Sequence, residues 1–103
     1  MTNADELDNF TFLQRWYHRH CDGDWEHDVR IRISTLDNPG WMLTVNIQDT
    51  ELVGTVIELI EVERSDDDWL YYKCNGSTFD VACGPLNFDE ALGAFRAMAE
   101  VTG

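Results

Sequence analysis

Between His18 and His27 the chain carries His18, His20, Cys21, Asp22, Asp24 and His27, all of metal-ligating type. Imidazoles, a thiol and carboxylates at such density could hold a transition metal, and Cys21 with His27 could act as a nucleophile and its base. The spacing argues against both. Residues two apart on a helix point to different sides, so His18 and His20 do not converge. No C-x-x-C, H-x-x-x-H or H-E-x-x-H run is present, and nothing marks Cys21 as an activated thiol. The acidic trio Asp66, Asp67 and Asp68 lacks the alternation and terminal Glu of a calcium loop. A Gly-rich phosphate loop and a G-x-S-x-G elbow are also missing. The reading is of a non-enzyme without a cofactor or metal.

The same residues support binding better than catalysis. Cys21-Asp22-Gly23-Asp24-Trp25-Glu26-His27 and Thr35-Leu36-Asp37-Asn38-Pro39-Gly40-Trp41 each put a Trp beside carboxylates in a loop, and Asp67-Asp68-Trp69 repeats the combination. Trp is the residue most often found as an interface hot spot, and acidic rims speed association with a basic partner. The expected contact residues are therefore Asp24, Trp25, Glu26, Asp37, Trp41, Asp67, Asp68 and Trp69. The competing role for Trp25, Trp41 and Trp69 is to start strands and pack as core edges; Trp16 belongs to the core. Glu58, Glu61 and Glu63 read as a solvated strand face.

Charge narrows the partner. Twenty Asp and Glu face seven Lys and Arg, for a net charge of −13 in 103 residues. Nucleic acids and anionic membranes reward Lys and Arg, so neither is expected as a ligand. No segment approaches the roughly 20 apolar residues of a membrane span, and the N-terminus has neither the basic start nor the apolar run of a signal peptide. Three cysteines are an odd and sparse number, which fits a reducing compartment without disulfides. The chain reads as cytoplasmic, and its 103 residues as one domain with residues 1–8 frayed.

The elements that must position these residues follow from periodicity. From about Asp8, apolar or aromatic residues recur at helical steps (Phe10, Leu13, Trp16, Tyr17, His20), capped by Asp8 or by Thr11 with Gln14 and ended at Gly23. From Asp28 the period becomes two: Val29, Ile31 and Ile33, then Trp41, Leu43, Val45 and Ile47, joined as a hairpin. Asn38-Pro39-Gly40-Trp41 predicts a type II turn with Gly40 at positive φ. A third strand spans about Thr55 to Glu63, where a parity switch implies either a bulge near Leu59 or cover on both faces. After an acidic turn at 65–68, Trp69–Cys74 and Ser77–Cys83 predict a second hairpin about Asn75-Gly76, with Cys74 opposite Ser77 and Cys83 opposite Asp68. Asn87 with Glu90 opens a last helix whose stripe is Phe88, Leu92, Phe95 and Ala99. The expected fold is α+β: an N-terminal helix, a five-stranded antiparallel meander and a C-terminal helix, with the helices packed on the sheet.

Several of these segments together resemble the immunity protein 53 family, associated with bacterial polymorphic toxin systems. The resemblance rests on Trp16-Tyr17, the Cys21–His27 and Thr35–Trp41 segments, Glu63-Arg64-Ser65, Asp68-Trp69, and Gly84-Pro85 with Asn87. It extends from about Phe12 to the last helix. Two positions depart from the pattern: Val29-Arg30 stands where an aromatic followed by Gly is expected, and Cys83 where another Gly is. The resemblance implies a cytosolic antidote, monomeric or weakly dimeric, that binds a cognate toxin and blocks it without catalysis. The acidity adds that the toxin presents a basic surface, as a nuclease cleft would. The alternative is a small metal-dependent enzyme built on His18, His20, Cys21 and His27, or a small-ligand module that uses the Trp residues as stacking platforms.

Overall fold

The computed structural model describes residues 7–102. Helix α1 spans Asn9–His20, and a single 3-10 turn follows at Trp25–His27. The strands are β1 (Ile31–Leu36), β2 (Gly40–Asn46), β3 (Val56–Ser65), β4 (Asp68–Asn75) and β5 (Thr78–Cys83). Helix α2 (Phe88–Thr102) closes the chain. The expected α+β architecture of helix, five antiparallel strands and helix is present. The fraying expected over residues 1–8 falls, for residues 1–6, outside the described residues. Leu7 and Asp8 are tied in: the Leu7 carbonyl accepts from Arg96 Nη1 at 2.7 Å, and Asp8 caps α1 by accepting from the Thr11 N–H. Of the two caps considered, Asp8 is the one used, and that hydrogen bond holds its carboxyl below the usual range.

The sheet runs in the order β1-β2-β5-β4-β3, with every neighbouring pair antiparallel. Two hairpins of alternating strands place themselves side by side, and the connection over residues 47–55 carries the chain from the middle of the sheet to its far edge. That connection is pinned beneath the β4–β5 turn: the Ile47 N–H donates to the Ser77 carbonyl and the Gly54 N–H to the Gly76 carbonyl. Leu52 in its middle is fully buried. One side of the sheet (Leu43, Val45, Leu70, Cys74, Phe79, Val81, Cys83) packs into the core, and α2 covers it with Ala91, Leu92, Phe95, Met98 and Ala99. Helix α1 leans on α2 through Trp16, whose ring meets Phe95 edge-on at 5.1 Å; Phe95 in turn meets Phe79 of β5 at 5.6 Å.

Of the two explanations for the parity switch in β3, the bulge is the one found, as a register shift between Ile57 and Ile60. Two turns differ from their sequence reading. Gly40 is absent from the glycines at positive φ, which are Gly23, Gly54 and Gly76, so no type II turn forms there. Gly40 is instead the first residue of β2, paired with Leu36, and a Cβ on it would lie 2.3 Å from the Cys83 carbonyl oxygen. Its smallness, not its φ, is what the fold uses. In the second hairpin Cys74 pairs with Phe79 and Leu70 with Cys83, so the turn is centred on Gly76-Ser77, one residue later than expected. The Asn75 carboxamide explains the shift: its Oδ1 accepts from the N–H groups of both Ser77 and Thr78, making Asn75 the residue before the turn.

Candidate partner-binding site

The eight expected contact residues fall at opposite ends of β1. Asp24, Trp25 and Glu26 lie where that strand begins, whereas Asp37, Trp41, Asp67, Asp68 and Trp69 gather where it ends. Six residues of strand separate the groups by roughly 20 Å.

The first group is committed to the fold. Trp25 is only 5% exposed, with its ring against Trp16, Tyr17 and His20 and its Nε1–H donating to the Gln48 carbonyl. Glu26 folds back to accept from the N–H groups of Asp22 and Gly23, and Asp22 accepts from those of Asp24 and Trp25. Hydrogen bonds from the main chain lower both carboxyls from their usual range. Arg30, one of the departures from the family pattern, is buried: its guanidinium lies 4.9 Å over the Trp25 ring, and its Nε donates to the Trp25 carbonyl at 2.7 Å. Only Asp24 of this group stands exposed without a side-chain hydrogen bond among the described residues.

The ligand-type residues around it do not converge. His20 turns inward, its ring 4.5 Å from that of Trp16, with Nε2 2.5 Å from Glu51 Oε2 and Nδ1 2.7 Å from the Trp16 carbonyl. His18 and His27 are exposed, and the Cys21 thiol donates to the Tyr17 carbonyl. Among the described residues no three His, Cys, Asp or Glu side chains come together as a metal site requires. All three cysteines are free thiols; Cys74 and Cys83 are buried, and burial pushes the Cys83 thiol's pKa up.

The second group is a built surface. The β1–β2 turn, the β3–β4 turn at Asp66-Asp67 and the link from β5 to α2 meet here. Two close approaches lock them: Gly40 against the Cys83 carbonyl, and Gly84 against that of Asp67, where an added Cβ would also lie at 2.3 Å. The Gly84 N–H and the Asn87 carboxamide both donate to the Trp69 carbonyl. Trp41 donates from Nε1 to the Pro85 carbonyl and stacks against Phe88 at 5.1 Å, so it anchors the α2 link more than it faces solvent. Arg64 grips Asp68 at 2.7 Å and also Glu90 on α2, holding both carboxyls below their usual range.

What remains open is a groove of about 410 Å³ lined by Asn38, Glu63, Arg64, Ser65, Asp66, Trp69 and Tyr71. Trp69 and Tyr71 project from the sheet face that no helix covers, with ring centroids 5.2 Å apart, and the Tyr71 hydroxyl donates to Glu63. Exposed Asp37, Asp66 and Asp67 make no side-chain hydrogen bond among the described residues. Tyr71, Glu63 and Asp66 were not among the expected contact residues. A signal existed for the first two: Tyr71 shares a strand face with Trp69, and Glu63 is the cross-strand partner of Trp69.

The family model for immunity protein 53 matches residues 10–100. The chain belongs to the immunity protein 53 family. Comparison with curated proteins and with solved structures finds no match. Membership in the immunity protein 53 family supports an immunity function and suggests a non-enzymatic inhibitor with a toxin for its partner. No helix among the described residues is long and apolar enough to cross a membrane. The matched residues include both the buried Trp25 loop and the acidic, aromatic turn end.

Proposed function

We propose that this protein binds a cognate bacterial toxin and neutralises it by covering a basic surface, such as the phosphate-binding cleft of a nuclease. The observation that carries the reading is the turn-end groove, where half-buried Trp69 and Tyr71 share a wall with exposed Asp66, whose carboxylate the fold does not use. An aromatic pair supplies rigid area that loses little entropy on binding, and exposed carboxylates steer a cationic partner toward it. Asp37, Asp66, Asp67, Trp69 and Tyr71 are the contact residues under this reading. Trp25 and Glu26 support the scaffold, Trp41 braces the link to α2, and Asp68 holds Arg64.

Calorimetric titration against the C-terminal domain of the toxin encoded beside this gene tests it. One-to-one binding should weaken as NaCl rises from about 50 to about 200 mM, because exposed charges are screened over that range. Trp69→Ala should cost at least about tenfold in affinity, as loss of a central aromatic anchor does. Asp66→Lys with Asp67→Lys should slow association while leaving the melting temperature close to that of the parent. Unchanged affinity in both variants would move the interface elsewhere.

A further inference from the structure

The two edges of the sheet are built differently. Edge strand β3 is broken by two register shifts and carries Glu58, Glu61 and Glu63. Bulges and charges of this kind keep an edge from pairing with another chain. Edge strand β1 has no bulge and a single charge. Its register with β2 runs unbroken from Ile31 to Leu36, and its one charged residue is Arg32. Beside it an apolar groove of about 460 Å³ opens between Phe10, Leu13 and Tyr17 of α1 and Val29, Ile31 and Ile33. Phe10, Val29 and Ile33 are 48%, 60% and 41% exposed, which is a large apolar investment for a free surface.

Charge indicates what covers it. From Phe10 to Leu36 four arginines (15, 19, 30 and 32) balance four carboxylates (22, 24, 26 and 28), so the whole net charge of −13 is carried outside the stretch that forms the groove. A basic toxin gains nothing electrostatically there, whereas a second copy of this anionic chain meets its least repulsive approach. We propose that β1 and its groove form a two-fold interface between two copies of this chain, pairing β1 with β1 antiparallel into a ten-stranded sheet. A register centred on Ile33 sets Ile33 against its own copy and Ile31 against Thr35 of the second copy. It also places Arg32 opposite Ser34 of the second copy, whereas a register centred on Arg32 would oppose two like charges. Trp69 and Tyr71 lie three strands away on β4, so this association does not depend on the toxin reading.

Sedimentation velocity on the full chain tests it, from about 5 to about 500 µM, since a dimer's population follows concentration. The expected result is a shift from monomer to dimer that strengthens severalfold between about 25 and about 300 mM NaCl, because salt screens repulsion between the copies. Ile33→Lys and, independently, Val29→Lys at the exposed groove margin should each remain monomeric at the highest concentration, with circular dichroism showing the parent fold. Leu59→Lys on the opposite edge should leave the dimer intact. A parent chain that stays monomeric throughout overturns the proposal. So does a dimer that survives both groove variants, or one that Leu59→Lys alone abolishes.

Discussion

Trp25 and Trp69 look alike in the sequence, each beside carboxylates, yet their neighbours give them opposite roles. Trp25 fills the space between α1 and the start of β1, roofed by the Arg30 guanidinium, so truncating it opens a large cavity. Trp25→Ala should cost about 3–5 kcal/mol in chemical denaturation. Under conditions where the variant is still folded, its affinity for the toxin should be close to that of the parent. Trp69→Ala should show the reverse pattern: a small change in stability and a large loss of affinity. A second pair of residues fixes the same corner. Glu51 accepts from Trp16 Nε1 at 3.1 Å and meets His20, joining α1 to the connection between β2 and β3. Burial pushes the Glu51 carboxyl up, but hydrogen bonds from its own main chain, from His20 and from Trp16 outweigh this and leave it lowered. Glu51→Ala strands a buried indole N–H without its acceptor, so urea titration at neutral pH should show a loss of about 1–2 kcal/mol.

At the scale of elements, the turn end of the sheet depends on two places where a side chain cannot fit. Gly40→Ala sets a methyl group 2.3 Å from the Cys83 carbonyl, and backbone on a central pair of strands cannot yield as a flexible side chain would. β2 and β5 must part where they begin and end, at a cost of about 1–3 kcal/mol typical of overpacking. Thermal unfolding should show the drop, and toxin affinity should fall with it, since Trp69 rests against Gly40. This dependence was not legible in the sequence. Gly after Pro matches a type II turn, and only the pairing of β2 with β5, non-local in sequence, reveals a steric role. The β4–β5 register shows a similar limit. Moving a turn by one residue changes each cross-strand partner by two positions, which leaves the inward and outward faces unchanged. The alternation of Leu70, Tyr72 and Cys74 therefore identified the buried face without fixing the partners; the Asn75 side chain decides between registers. Periodicity did reveal both helices and all five strands, and it narrowed the β3 parity switch to a bulge or two covered faces, because each signal lies within one element. The groove is lined jointly from the β1–β2 turn and the β3–β4 hairpin, so of the expected contact residues only Trp69 lies in its wall.

For the whole molecule, charge sets one sign for stability and another for binding. A net charge of −13 repels itself within the fold, between copies, and attracts a cationic partner. Raising NaCl should therefore raise the melting temperature and favour self-association while it weakens toxin binding; three readouts moving together in one direction would contradict this division. Acid acts differently, because the carboxylates that brace the fold are specific. Asp8, Asp22 and Glu26 are lowered chiefly by main-chain N–H groups, and Asp68 and Glu90 by Arg64. A group depressed in the folded state binds a proton more readily when unfolded, so its contribution is complete above the unfolded values of about 4 and is lost as pH falls through the folded ones. Stability should thus hold as pH falls from 7 toward about 5, then drop steeply below about 4 as the bracing carboxylates take up protons. Thermal melts across that range at constant ionic strength give the curve. A fall that begins well above pH 5 would mean that groups other than these carboxylates govern the acid limb.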